Sequence, residues 1–397
     1  MPELSAFAPE HARDRAAAEA FAAATLPTNE QDVWRYSPIG DLDLGRFTPA
    51  APVAAGTAVP ERAQRVVDLA AGLASQVIVT VNGTVVLGER PADAAPELPE
   101  AVDAFDHLHA AFAEPIVVRV APGKAVDPVV VIHWVEGTGT AVFPHVVVDA
   151  GADSEVRVLE VLLSAPEADV LVVPVTDLLV GKAARVGHVV VQDLAPDAWS
   201  LGHLRSSVDQ DATLTATAVG MGGSYARLRT DCRLVGRGAT GNLRAMWFGE
   251  GEQRLDFRTF QDHAAPDTVS DLIYKGAAGG RSRSVYTGLI RVAHGARGTN
   301  AVQTNRNLKL SDDAWAESIP NLEIHNNDVR CAHASAVGPI DEEQRWYLES
   351  RGVPTPVAER LIVAGFFDEA LADLPVREAI IPIKDLVARK LEAAGLA

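Results

Sequence analysis

The sequence predicts a mainly β protein, with a long all-β middle between helical ends. Three observations carry this. Valine-rich runs recur at Ile116–Val120, Val129–Val135, Val146–Val148 and Val170–Val175, separated by turns rich in Gly, Asp and Ala. No long amphipathic helical pattern interrupts residues 116 to 335. Helical spacing and helix punctuation return on both sides of that span.

A soft internal repeat favours a stacked β-solenoid. Small turn residues precede strands at Ala152, Ala183, Ala212, Ala239 and Ala296, at steps of 31, 29, 27 and 57 residues. No side chain repeats strictly. A sandwich would also give short strands and turns, and it stays open as the alternative.

Residues 9–25 read as an alanine-rich helix ended by Pro27. A turn-rich segment follows with Trp34, Arg35, Tyr36, Ser37 and Pro38, and residues 41–74 are ambiguous. Val77 to Val86 alternates around Asn82-Gly83, a hairpin signal. Residues 99–113 fit another helix, with a boundary near Glu114-Pro115. The expected division is a mostly helical N-terminal domain over 1–114, a β core over 115–338 and a C-terminal helical domain over 339–397. In the last, Asp341-Glu342-Glu343-Gln344 suits a helix N-terminus and Gly352 its C′ position. Thr355-Pro356 reads as an N-cap with proline at N1, ahead of an apolar stripe that includes Val357, Leu361 and Phe366. Residues 376–394 form a last helix, interrupted or entered at Pro382 and ending before Gly395.

With 397 residues, 48% of them hydrophobic, the chain can bury one large core and smaller satellites. Its net charge of -18 repels phosphate backbones and argues against nucleic-acid binding. Cys232 and Cys331 are too few for a secreted disulfide framework. The N-terminus carries Glu3, Glu10, Arg13 and Asp14 without an apolar h-region, and no stretch reaches the ~20 apolar residues of a membrane span. A cytoplasmic protein with no membrane partner is expected.

Signatures of a stand-alone enzyme are missing. The sequence has no P-loop, no His-Glu-x-x-His and no Cys-x-x-Cys, and Met221-Gly222-Gly223-Ser224 lacks the strand–elbow–helix context of a nucleophilic serine. Cys331 and His333 lie at i, i+2, which on a strand puts both on one face. Thiolate and imidazole suit iron or zinc, but one pair cannot complete a four-coordinate site. A packed thiol and a satisfied core histidine remain the alternative. His107 and His109 share the spacing but fall in a helix, on different sides. Cys232 reads as a packed thiol, His263 and His294 as polar caps, and Arg281 and Arg283 as solvated or salt-bridged. A rival class is a β-solenoid enzyme acting on polysaccharide, which needs clustered carboxylates. Asp149, Asp153, Asp193, Asp209 and Asp211 are available, though in turn-like segments where Asp serves local hydrogen bonding.

One long ordered motif adds to this. Leu322-Glu323-Ile324, Asp328-Val329-Arg330-Cys331-Ala332-His333, Val337-Gly338 and Asp341-Glu342-Glu343-Gln344 follow one another, continuing through Tyr347-Leu348 and Ser350-Arg351-Gly352. Upstream stand Gly288, Ile290, Val292, Ala293 and the run Gln303-Thr304-Asn305-Arg306-Asn307-Leu308, and far upstream Trp34-Arg35-Tyr36-Ser37. The whole resembles the SufB/SufD family of the SUF iron–sulfur assembly system, most strongly over residues 257–372. The SufB branch carries a cysteine just after the glutamine matched by Gln303 and a glutamate just after the histidine matched by His333. Thr304 and Ala334 stand there instead, which points to the SufD branch and removes two ligands.

The resemblance implies a right-handed parallel β-helix flanked by N- and C-terminal helical domains. It implies a non-catalytic scaffold subunit that pairs with a SufB paralogue and binds the ATPase SufC through its C-terminal helical domain. An iron–sulfur cluster would be transient and shared with SufB, with no tightly bound cofactor on this chain alone. His333 matches a histidine implicated at the SufB interface and is the candidate metal ligand, with Cys331 beside it as a candidate for the shared site. Ala334 and Ser335 follow where the family usually shows Gly and Ala. The isolated chain is expected to offer a homodimer as well, because an exposed β edge seeks a partner.

Overall fold

β-branched runs split by short turns give strands too short to form a core singly, so they stack. The computed structural model describes residues 5–91 and 94–393. The protein is a parallel β-solenoid of about 8 turns with helices at both ends. The chain alternates between an 11-stranded and a 10-stranded sheet. Trp199–Val208 lies in the first, Thr213–Gly220 crosses to the second, and Tyr225–Leu234 returns to pair in parallel with Trp199–Val208. Fold class is as expected, and the sandwich alternative falls because successive coils pair in parallel.

The repeat is real, and its constant is a backbone position that the alanine pattern catches only in part, at Ala183. In one row of turns a left-handed residue recurs once per coil, at Asp153, Ala183, Asp211, Gly238, Asp267 and Gly298. Each donates its N–H to a carbonyl in the next turn, as Asp153 does to Lys182 at 2.8 Å and Asp267 to Arg297 at 2.8 Å. The following residue points inward and is buried and small: Ser154, Ala184, Ala212, Ala239, Thr268 and Thr299. Only Ala212 and Ala239 of the expected set occupy that position. Asp and Gly tolerate the left-handed turn, so the repeat is one of backbone conformation rather than of one side chain.

Strand pairing begins well before residue 115. Gln76–Val81 pairs in parallel with Val129–Val135 and in antiparallel with Thr84–Leu87, through a turn at Asn82-Gly83 with both residues left-handed. Six helices are described: α1 (Arg15–Ala23), α2 (Glu61–Ala70), α3 (Ala104–Phe112), α4 (Glu342–Ser350), α5 (Thr355–Leu371) and α6 (Ile380–Ala393). Asp14, Asp103 and Asp341 cap α1, α3 and α4 by accepting backbone N–H bonds. The cap of α5 is one residue earlier than expected. Pro354 holds the extended cap position and the Thr355 hydroxyl donates to Glu349 at 2.8 Å instead. Pro382 lies in the first turn of α6, where its missing N–H costs nothing. Gly395 lies outside the described residues. No described helix is long and apolar enough to cross a membrane.

Three apolar bodies hold the parts together. Alternate side chains of both sheets fill the interior, from Ile78 and Val131 to Trp247, Tyr274 and Tyr286. The outer face of the 10-stranded sheet is covered by α2, α5 and α6 through residues such as Ala63, Phe367 and Leu391. On the other outer face the N-terminal segment packs Phe21, Trp34, Phe47, Phe105 and Leu108 against Leu171, Leu201 and Tyr225. Polar groups enter the interior as well. Glu160, fully buried, accepts from Thr176 at 2.7 Å and faces His188 at 3.2 Å and His133 at 3.7 Å. His263 bonds Thr268 at 2.8 Å and Ser270 at 2.9 Å.

Burial lowers His133 and His263 from 6.5 to about 4, against the pull of Glu160 and Asp262 respectively. Their folded values lie below their unfolded ones. Between pH 6.5 and 4 the unfolded chain therefore binds protons that the folded chain refuses, and stability falls as pH falls. The urea midpoint should drop from pH 7 to pH 4, and His263→Gln should remove part of the drop. A midpoint that stays flat across this window would contradict neutral buried imidazoles.

Candidate functional site at the open end of the solenoid

The last coil consists of two ten-residue strands, Trp315–Ile324 in the 11-stranded sheet and Arg330–Pro339 in the 10-stranded sheet. Each pairs on one side only, with Arg283–Val292 and Asn300–Lys309 respectively. Among the described residues no further coil covers them. Cys331 packs toward the interior beside Ile290, Val292, Ala296 and Ala301. Ser335 reaches across to Ser318 on the other sheet at 2.6 Å. His333 lies between Cys331 and Ser335 on the same face, in register with Gln303 one layer below. All three would be interior in a longer solenoid. Here His333 is exposed, and so are the apolar neighbours Leu322 (39%), Ile324 (40%) and Val337 (42%).

The layer beneath is unusual. Gln303 is fully buried, yet neither end of its amide has a hydrogen-bond partner. A Cβ at Gly288 would come within 2.4 Å of the Gln303 Nε2 and 2.5 Å of the Tyr286 hydroxyl, so glycine is what lets the amide lie there. Nothing in a single Gln flags such a position. Its neighbours Asn305 and Asn307, alternating with it along one strand, are the signal that this face turns polar inside.

Burial, partly offset by a backbone bond to Ala301, raises the Cys331 thiol. It is no activated nucleophile. An imidazole needs no proton removed when neutral, so His333 is the readier ligand of the pair. Among the described residues no three His, Cys, Asp or Glu groups converge to hold a metal ion. Thr304 and Ala334, the positions that depart from the SufB pattern, prove to be cross-strand partners. They lie on the face opposite His333.

The other candidates are not brought to this site. His109 is buried on α3 and bonds the Val173 carbonyl at 2.7 Å, and His107 lies on the same helix. Cys232 is sealed inside the solenoid, its thiol pushed up to about 11 by burial. His263 is a buried strand end, and the His294 ring lies 4.9 Å from that of His325. Arg281 pairs with Glu252, whereas Arg283 stacks over Trp315. The carboxylates weighed for a polysaccharide enzyme lie in ion pairs and turns, where Asp209 accepts the Gln210 N–H at 2.6 Å. Asp149 pairs with Arg119 and Asp193 with Arg62, while Asp153 and Asp211 shape turns. Sequence reasoning missed a second exposed feature. A cleft of about 1270 Å³ runs between α4, α5 and the outer face of the last coils, with Trp346 (69%) and Tyr347 (55%) at its rim.

Fold and site together define a parallel β-solenoid protein whose final layer is left uncovered. The family model described as SUF system FeS cluster assembly, SufBD core domain, matches residues 133–366. The chain belongs to this family. An iron–sulfur cluster assembly SufBD family protein of Mycobacterium bovis is 31% identical over 377 residues, 92% of this chain and 90% of the relative. The iron–sulfur cluster assembly protein SufD of Escherichia coli is 27% identical over 379 residues, 90% of this chain and 88% of its own length. SufD of Bacillus subtilis is 28% identical over 269 residues, 67% and 61%.

The two thiols should separate cleanly. Iodoacetamide on the native protein should label Cys331, faster as pH rises toward its raised pKa, and leave Cys232 unlabelled by mass spectrometry. Labelling of Cys232 at a comparable rate would mean the solenoid opens readily.

Proposed function

We propose that this chain is a non-catalytic scaffold subunit of the SUF complex, a SufD-like partner for a SufB paralogue. The observation that carries the reading is the uncovered last coil with His333 in its middle. Two long strand edges and an exposed apolar layer call for another solenoid to continue the stack. His333 would then stand at the junction, one ligand of a set completed by the paralogue. The iron–sulfur cluster is cargo: transient, shared across the junction and absent from this chain alone. Without the paralogue the same edges are free to pair with a second copy. The compartment consistent with this work is the cytoplasm.

The C-terminal helices supply the second docking site. Trp346, Tyr347 and Leu361 are exposed around the cleft beside α4 and α5, and aromatic anchors of this kind dominate binding energy. We assign this face to the ATPase SufC. α5 and α6 pack directly on the outer face of the 10-stranded sheet, so a motion of the ATPase would reach the coils that end at His333.

Anaerobic co-purification with SufB and SufC counterparts, followed by iron and sulfide analysis, tests the whole reading. A complex that assembles a cluster which this chain alone cannot hold is the expected result. His333→Ala should lose cluster assembly while the complex stays intact; full activity in that variant would remove the ligand role. Trp346→Ala combined with Tyr347→Ala should weaken association with the ATPase by about tenfold or more, on the scale of a hot-spot residue. Unchanged association would move the ATPase site elsewhere.

A further inference from the structure

The segment around Trp34 is held more tightly than a surface loop needs. Arg258, 1% exposed on the Arg254–His263 strand, donates to the carbonyl of Asp32 at 3.2 Å and to that of Arg35. Its own charge is met by Asp256, which accepts its Nη2 at 3.0 Å. Trp34 is buried, with the Arg227 guanidinium 3.9 Å from its ring centroid. With the carbonyls of Asp32 and Arg35 held just ahead of it, Tyr36 adopts φ +66°, a left-handed conformation that a bulky non-glycine residue rarely takes.

That conformation has a consequence at the open end. The Tyr36 ring, 43% exposed, lies 5.5 Å from the ring of Trp315, the first residue of the last strand in its sheet. Arg35 stacks 5.4 Å from the Tyr36 ring and Arg283 5.8 Å from the Trp315 ring. The four side chains make a row, two guanidinium groups around two aromatic rings. Among the described residues, neither Arg35 nor Arg283 donates a side-chain hydrogen bond or pairs with a carboxylate. Their neighbours do: Arg254 pairs with Asp41, Arg281 with Glu252 and Arg291 with Asp262. Both guanidinium groups thus stand at the ends of the aromatic row without a carboxylate partner.

We propose that Arg35, Tyr36, Trp315 and Arg283 form a recognition site for an acidic protein segment. The segment belongs to the subunit that covers the open end, and to that extent the inference rests on the function proposed above. A guanidinium stacked on a ring keeps its N–H edge outward and planar, the geometry that takes a carboxylate through two parallel bonds. Stacking also removes part of the entropy cost of holding a long side chain. The position at the start of the Trp315–Ile324 edge makes the patch continuous with the face that a covering subunit would occupy. Nucleic acid is disfavoured by the charge of the rest of the chain. The buried Arg258 has the supporting role: it sets the turn that places Tyr36.

The test uses the full chain and an octaglutamate peptide as probe. Binding is read from the Trp315 contribution to fluorescence, obtained by difference from Trp315→Phe. The peptide should bind at low salt and weaken with added salt. Arg35→Ala and Arg283→Ala should each weaken it by about fivefold or more, and Arg→Lys at either position should recover only part of the loss. Tyr36→Gly accepts the left-handed turn, so it should lose binding without lowering the urea midpoint. No binding, equal binding by the alanine variants, or tighter binding of a single-stranded oligonucleotide or inorganic phosphate would each overturn the proposal. The SufB counterpart gives the second arm. If the complex forms with the same affinity and salt dependence after Arg35→Ala and Arg283→Ala, this inference fails while the scaffold reading stands. If no complex forms with the unaltered chain, the scaffold reading fails and the peptide result alone decides whether the patch binds acid.

Discussion

Parallel strand pairing leaves every coil of a solenoid with two edges, and each edge must meet something. Inner coils satisfy one another: Tyr225–Leu234 pairs with Trp199–Val208 on one side and with Arg254–His263 on the other. The two ends cannot do this. At the start of the 10-stranded sheet the chain closes the stack with an antiparallel hairpin whose outer strand, Thr84–Leu87, is only four residues long. A short edge strand leaves little to pair with. At the other end stand two strands of ten residues with no further strand beyond them among the described residues. The asymmetry between a closed start and an open finish governs where polar groups, apolar groups and candidate ligands are placed.

The interior follows the same direction. Early coils are filled by Val, Ile and Leu, with Glu160 and its histidines as an enclosed exception. Toward the open end the filling becomes polar. Trp247 donates to Ser284 at 2.7 Å, Ser284 to Asn307 at 2.9 Å, and Asn307 to Asn305 at 2.7 Å. Gly276 and Gly288 leave room for these groups, since a Cβ at Gly276 would lie 2.3 Å from the Asn307 side chain. A fully bonded buried chain fixes positions more sharply than an oily core does. The exposed face of His333 therefore rests on a defined layer, in which the Gln303 amide is unpaired at both ends.

Much of the fold was legible because its signals are local. Valine runs, the Asn82-Gly83 turn and the acidic helix start at Asp341 are decided by neighbours in sequence, and each formed. The repeat was harder. Its constant is a left-handed backbone position that Asp, Ala and Gly all fill, so letters alone caught it at Ala183 and, one residue on, at Ala212 and Ala239, while Ala152 and Ala296 lie off it. The site was half legible. Spacing alone put Cys331 and His333 on one face of a strand. That this strand is the last one depends on the absence of a following coil, and its residues do not announce it. Pro320 and Pro339 in the two edge strands are the local hints, since proline withholds a ladder donor. The Arg35–Tyr36–Trp315–Arg283 row was out of reach, because it joins residues some 280 positions apart in the chain through a buried arginine.

The open end also restricts what can cover it. Leu322, Ile324 and Val337 favour burial, at roughly 25 cal/mol per Å² of apolar area removed from water. Yet about half of the N–H and C=O groups of each terminal strand point along the free edge, solvated and costing nothing while water reaches them. A helix or loop that covered the apolar layer would strip that water and leave the edge groups unpaired, at about 1–3 kcal/mol each. Only another strand edge recovers both terms at once. Such a strand would also bring its own side chains beside Cys331, His333 and Ser335, whereas Thr304 and Ala334 lie on the opposite face. On the function proposed above, an incomplete ligand set and an incomplete sheet would both be met by the same added coil.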